Sequence, residues 1–118
     1  MRAFIPRSRK GPEAGIQQRV VEMLLIKGWF VLETHGNMYQ SGFPDLFATH
    51  SSYRQRWIEI KNPTKYEFTP AQLETFPKLV AHGAGVWILV DDTEHEYMKL
   101  FTRCNWFTYL REWRRVNG

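Results

Sequence analysis

The segment Arg56-Trp57-Ile58-Glu59-Ile60-Lys61 constrains this chain more than any other. Its tryptophan and two isoleucines favour an extended backbone. In a strand, alternate side chains share a face, so Ile58 and Ile60 point one way and Trp57, Glu59 and Lys61 the other. Trp57 shares its face with the two charges, so that face is not simply solvent. Such a strand calls for helices packed against a sheet.

The rest of the chain supplies them. Residues 12–27 read as a helix, with Pro12 at a first helical position, Gly28 as the stop and an apolar stripe through Ile16, Val20, Met23 and Leu24. Residues 29–35 read as a strand, and residues 45–50 and 56–61 as an antiparallel pair joined through 51–55. A second helix is expected over 69–83, with Thr69 as N-cap and Pro70 behind it; Pro77 inside it should bend or shorten it. Residues 85–92 read as a buried strand, 96–101 as an edge strand and 105–115 as a C-terminal helix. The order is α-β-β-β-α-β-β-α, an α/β chain with one mixed sheet flanked by helices. A basic arm, residues 1–11, precedes a single domain, 12–118.

At 118 residues a single core is the expectation. One cysteine, Cys104, excludes an intrachain disulfide and a cysteine zinc site, and the four histidines have no metal-ligand spacing. No apolar run is long enough to span a bilayer, and the first residues lack a signal peptide's apolar stretch, so a cytoplasmic protein is expected. The charge is +4, from 16 Lys and Arg against 12 Asp and Glu, and the excess sits near the two ends. Arg2, Arg7, Arg9 and Lys10 in front, with Arg111, Arg114 and Arg115 behind, suit phosphate backbones and equally suit an ordinary basic surface.

Asp45 opens the strand that pairs with 56–61, so antiparallel pairing sets it near Glu59 and Lys61. Two carboxylates held together repel, and a hard divalent cation resolves the conflict. The backbone carbonyl of Ile60 offers a further oxygen, and Lys61 can hold water or phosphate. These groups suffice for metal-dependent phosphodiester hydrolysis. A plain cross-strand ion pair of Lys61 with either carboxylate is the alternative. Glu13 lies beside the apolar stripe of the first helix, where it either joins the site or interacts with the helix dipole. Gln72, in the first turn of the second helix, either points to the same sheet end or serves the cap. The aromatics of residues 106–113 suit a core and also a dimer face, and Tyr66 beside Lys65 is either a surface aromatic or a stacking platform.

These segments, taken in order, resemble the VRR-NUC family of PD-(D/E)xK nucleases. The likeness rests on Glu13 with Ile16-Gln17, then Gly42-Phe43-Pro44-Asp45-Leu46, Ile58-Glu59-Ile60-Lys61 and Thr69-Pro70-Ala71-Gln72. It runs from about residue 12 to residue 91 and leaves the N-terminal arm and the last part of the chain uncovered. The resemblance implies a restriction-endonuclease-like core, Mg2+ with Mn2+ able to substitute, and cleavage of DNA. It maps Asp45 and Glu59 to metal ligands, Lys61 to the catalytic lysine, and Gln72 and Glu13 to supporting positions. Stand-alone members of this size look like phage or bacterial homodimers that cut four-way (Holliday) junctions. Flap, nicking and restriction-type nucleases, and a silent DNA-binding module, are the alternatives. Arg7, Arg9, Lys10, His35, Lys65 and Tyr66 are the expected DNA contacts.

Overall fold

The computed structural model describes residues 11–34 and 42–117. Helix α1 (Pro12–Ile26) leads into β1 (Phe30–Glu33), β2 (Leu46–His50) and β3 (Arg54–Ile60). Helix α2 (Pro70–Ala81), β4 (Val86–Leu89), the short α3 (Glu94–Met98), a 3-10 turn at Lys99–Phe101 and α4 (Trp106–Asn117) complete the chain. The sheet order is β1-β2-β3-β4, with β1, β2 and β3 antiparallel and β4 parallel to β3. This is a mixed sheet between helices, as the alternating pattern implied.

Side-chain periodicity divides the core between the two faces of the sheet. Ile16, Val20 and Leu24 recur at four-residue spacing on α1 and pack with Leu46, Ala48, Ile58, Ile60 and Leu89. On the other face Phe76 of α2 and Trp106 and Leu110 of α4 meet Val86 and Ile88, with Phe68 between them. Each helix of the pair α1 and α2 ends in the same hydrogen-bonded turn. Trp29 N donates to Leu24 O and Gly28 N to Leu25 O; Ala84 N donates to Leu79 O and Gly83 N to Val80 O. Pro77 neither ends nor shortens α2 at its position. It lies on the exposed side, where water can take up the carbonyl that the missing N–H leaves free.

Residues 96–101 are helical, which corrects the expected edge strand. Thr93 caps α3 by accepting a hydrogen bond from Glu96 N, the Thr-x-x-Glu pattern of a helix start. Side chains take over the role of the missing strand. The Asn105 amide accepts from Ile88 N at 2.6 Å and donates to Ile88 O at 3.1 Å. Glu96 Oε1 accepts from Val90 N at 2.9 Å. The outward backbone groups of Ile88 and the N–H of Val90 just beyond β4 are thereby satisfied without further pairing. Buried Glu96 is neutralised by Lys99. Burial lowers the Lys99 pKa, but hydrogen bonds to Glu96 and Tyr109 outweigh it and hold the ammonium above its ordinary value.

Asn105→Ala is expected to lower stability by about 1–3 kcal/mol, since two half-buried hydrogen bonds are lost and Ile88 is left unpaired. Asn105→Asp should not restore it at neutral pH, because a carboxylate then faces the Ile88 carbonyl. Urea unfolding checks this: the midpoint falls while the slope stays constant.

Candidate active site

Asp45, Glu59 and Lys61 meet at one end of the sheet. The β2–β3 register pairs Leu46 with Ile58, so Asp45 stands opposite Glu59 on the face carrying Trp57 and Lys61. Backbone and carboxylates lock together there. Asp45 N donates to Glu59 Oε1 at 3.2 Å, and Ile60 N donates to Asp45 Oδ2 at 2.8 Å. Within a strand the N–H and C=O of one residue point to the same edge. The Ile60 carbonyl therefore points to the side of the strand where the Asp45 carboxylate lies.

Lys61 is held tightly. Its Nζ lies 3.1 Å from Glu59 Oε2, donates to Gln72 Oε1 at 3.2 Å and to the Glu67 carbonyl, and sits 4.7 Å from the centre of the Phe68 ring. Lys61 and Glu59 thus form an ion pair, and it is buried rather than exposed: Glu59 is 1% and Lys61 4% exposed. A buried pair persists only when further hydrogen bonds satisfy it, and Gln72 supplies one to each partner while also bonding Thr69. Its Nε2 donates to Glu59 Oε2 at 2.9 Å, and its Oε1 accepts from Thr69 N at 3.1 Å while Gln72 N donates to Thr69 Oγ1 at 3.1 Å. Gln72 is thus the N3 residue of the α2 capping box and a member of the cluster at once.

The approach to Asp45 requires a glycine. Gly42 has φ 87°, and a Cβ there would lie 2.5 Å from the Ala71 carbonyl oxygen. Only a glycine lets the turn before Pro44-Asp45 press against the first turn of α2, where Gln72 resides.

Glu13 reaches the same end of the sheet from α1, where its Oε2 accepts from Asn62 N at 3.1 Å. Two neighbours escaped the reading of the sequence as site members. Gln17 is buried and donates from Nε2 to Glu33 Oε1 at 3.1 Å. Glu33 ends β1, next to Thr34, whose N–H donates to the Asp45 carbonyl at 2.8 Å. The spacing of Glu13 and Gln17, one helical turn apart, carried that signal; the position of Glu33 depended on the β1–β2 register.

The other expected DNA contacts lie apart or outside. Arg7, Arg9, Lys10 and His35 fall outside the described residues. Lys65 is exposed. Tyr66 donates its hydroxyl to the Tyr109 carbonyl at 3.0 Å and packs edge-on against Phe68 and Tyr109. Burial, aided by the Glu112 charge, pushes its phenol above the ordinary value. Lys65 and Tyr66 line a cleft of about 260 Å³ with Trp113 and Val116, and none of Asp45, Glu59 and Lys61 borders it.

The donor set at the sheet end consists of oxygens. Among the described residues no three His, Cys, Asp or Glu side chains gather as a metal site. Two carboxylates and a backbone carbonyl, completed by water or phosphate, match the demands of Mg2+. Among the described residues no cysteine or histidine joins this cluster to favour zinc.

A scan against family models finds no match, and no curated protein matches. Among solved structures a VRR_NUC domain superposes with a TM-score of 0.61 at 21% identity, covering 73% of this chain and 91% of that one. At that identity the likeness shows the fold. Among the described residues no helix is long and apolar enough to cross a membrane.

Proposed function

We propose that this chain, whose fold is that of a VRR_NUC domain, is a metal-dependent, structure-specific DNA endonuclease that resolves four-way junctions. The observation that carries the reading is the convergence of Asp45, Glu59 and buried Lys61 at one end of the sheet. Burying two charges is costly, and a cross-strand pair elsewhere on the surface would serve stability as well.

Asp45, Glu59 and the Ile60 carbonyl would hold Mg2+ or Mn2+. The cation, when bound, supplies positive charge that acidifies water and offsets the charge of the phosphate. Lys61 orients the attacking water or the phosphate and neutralises charge that builds on it. Gln72 fixes both Lys61 and Glu59 through its two side-chain atoms. Glu13 braces the strand end at Asn62. Lys65, with Arg7, Arg9, Lys10 and His35, supplies contacts to the DNA, and Tyr66 supports the loop that carries Lys65. One chain holds one such site, so paired cuts across a junction call for a homodimer with two-fold symmetry. Helix α4 directs Trp106 and Leu110 into its own core and leaves Phe107 and Val116 exposed.

The test is cleavage of four-way, flap, nicked and linear DNA in Mg2+, in Mn2+ and in chelator, with sedimentation of the free protein. Paired cuts on the four-way substrate, dependent on the cation and made by a dimer, are expected. Cleavage confined to flaps or nicks by a monomer would move the assignment to those substrates. Binding without any cleavage would make the chain a silent binding module.

A further inference from the structure

Among the described residues, the face of the sheet beside the carboxylates is apolar and uncovered over β1 and β2. Register defines three rows across β1, β2 and β3. Thr34 meets Asp45, which stands opposite Glu59; Leu32 faces Phe47, which faces Trp57; Phe30 faces Thr49, which faces Gln55. The middle row therefore borders the carboxylate row directly. Phe43 joins it from the turn before Asp45, with its ring 5.8 Å from that of Trp57, and Phe47 lies 5.0 Å from the same indole. Helices α2 and α4 cover this face over β4 and stop short of β1. Phe30 remains 58%, Leu32 47% and Phe43 39% exposed.

We propose that this ledge, with Phe43, Phe47 and Leu32 at its centre, takes the bases of unpaired nucleotides next to the phosphate being cut. The inference rests on the nuclease reading for the identity of the ligand. Three features favour nucleobases as the occupant. The ledge begins at the site, since Phe43 and Phe47 flank Asp45 two residues away on either side. Flat rings on an open sheet are a general means of holding unstacked bases, and every base has a face to offer. The patch is also too small for a stable protein interface, which needs roughly 20–30 residues on each side. Here five apolar side chains, Phe30, Leu32, Phe43, Phe47 and Trp57, are exposed or half-buried. The ledge thus gives the enzyme a preference for DNA whose bases have left the stack, at a branch point or at the foot of a flap.

The test is a double-substitution cycle in binding, measured by fluorescence anisotropy in chelator so that no cleavage occurs. Branched DNA with unpaired nucleotides at the branch is compared with the same DNA carrying abasic sites there. The abasic change should weaken binding by the native protein roughly 5- to 150-fold, the range of one stacked base. It should weaken binding by Phe43→Ala by less than about twofold, within the additivity of independent changes. Phe43→Tyr, which keeps the ring, should behave as the native protein does. Leu32→Ala, at an exposed position on β1, provides a second variant if Phe43→Ala fails to fold. Equal losses on abasic DNA in native and variant proteins would overturn the proposal. A dimer that falls to monomers on Phe43→Ala or Leu32→Ala would also overturn it, by giving the ledge to a second copy. Coupling in binding by a protein that never cuts would uphold the ledge and remove the nuclease reading.

Discussion

Asp45→Asn is expected to leave the protein folded and to abolish DNA cleavage. The geometry explains both halves. Asp45 Oδ2 accepts from Ile60 N, and an amide oxygen accepts the same bond, so the strand end keeps its shape. What disappears is the negative charge that a hard cation requires. A thousandfold loss or more is expected, equivalent to about 4 kcal/mol of transition-state stabilisation, with DNA binding largely retained. Glu59→Gln should lose cleavage as well, but it is the less clean substitution. Glu59 accepts on both oxygens, from Asp45 N on one side and from Gln72 and Lys61 on the other. An amide has only one acceptor, so its NH2 group must face a donor, and stability falls too. Single-turnover rates, read beside thermal melts, separate the two effects. Near-native cleavage by Asp45→Asn would remove the proposed mechanism.

Lys61→Met is expected to damage both stability and chemistry. An exposed ion pair contributes about 0–1 kcal/mol, but Lys61 and Glu59 are buried. Removing one partner of a buried pair typically costs about 3–5 kcal/mol, because the other charge is stranded. Gln72 and Asp45 N still serve Glu59, which places the expected loss at the lower end of that range. Lys61→Arg should restore neither property fully, since the ammonium sits between Glu59, Gln72, the Glu67 carbonyl and the Phe68 ring, and a planar guanidinium needs a different shape. The double variant Glu59→Gln/Lys61→Met tests the pair as a structural unit: denaturant unfolding should show stability recovered relative to Lys61→Met. The chemical role is read from Lys61→Met itself, whose single-turnover cleavage should stay lost at temperatures where the variant is fully folded. Native cleavage by folded Lys61→Met would reduce Lys61 to a structural counter-ion.

The central hairpin was legible because strand period alone puts Glu59 and Lys61 on one face, and antiparallel pairing then puts Asp45 opposite. The cap of α2 was legible from Thr69 and Pro70 for the same local reason. Residues 96–101 misled because Tyr97, Met98, Leu100 and Phe101 make an apolar run that fits a short strand or a buried helix equally. The deciding signal, Thr93 followed three residues later by Glu96, was present in the sequence. Its second use, with the Glu96 carboxylate satisfying the N–H of Val90 just after β4, arises only in three dimensions. Glu33 and Phe68 were missed for a similar reason. Glu33 meets Gln17 of α1 and Phe68 meets Lys61, contacts between residues distant in sequence that no local period records.

The double duty of Gln72 has a consequence for how this protein responds to heat and to mutation. The side chain that closes the capping box also joins Lys61 to Glu59. Fraying of a single helical turn, among the smallest opening events a protein undergoes, therefore disconnects the charged cluster while the sheet is intact. Activity would decline on warming ahead of global melting. Thr69 touches none of the charged groups in the described contacts, yet a change there would mimic a catalytic defect. Selection on such a chain acts on the start of α2 as on a hinge pin: its local rigidity, rather than the stability of the whole domain, sets the temperature at which the site stays assembled.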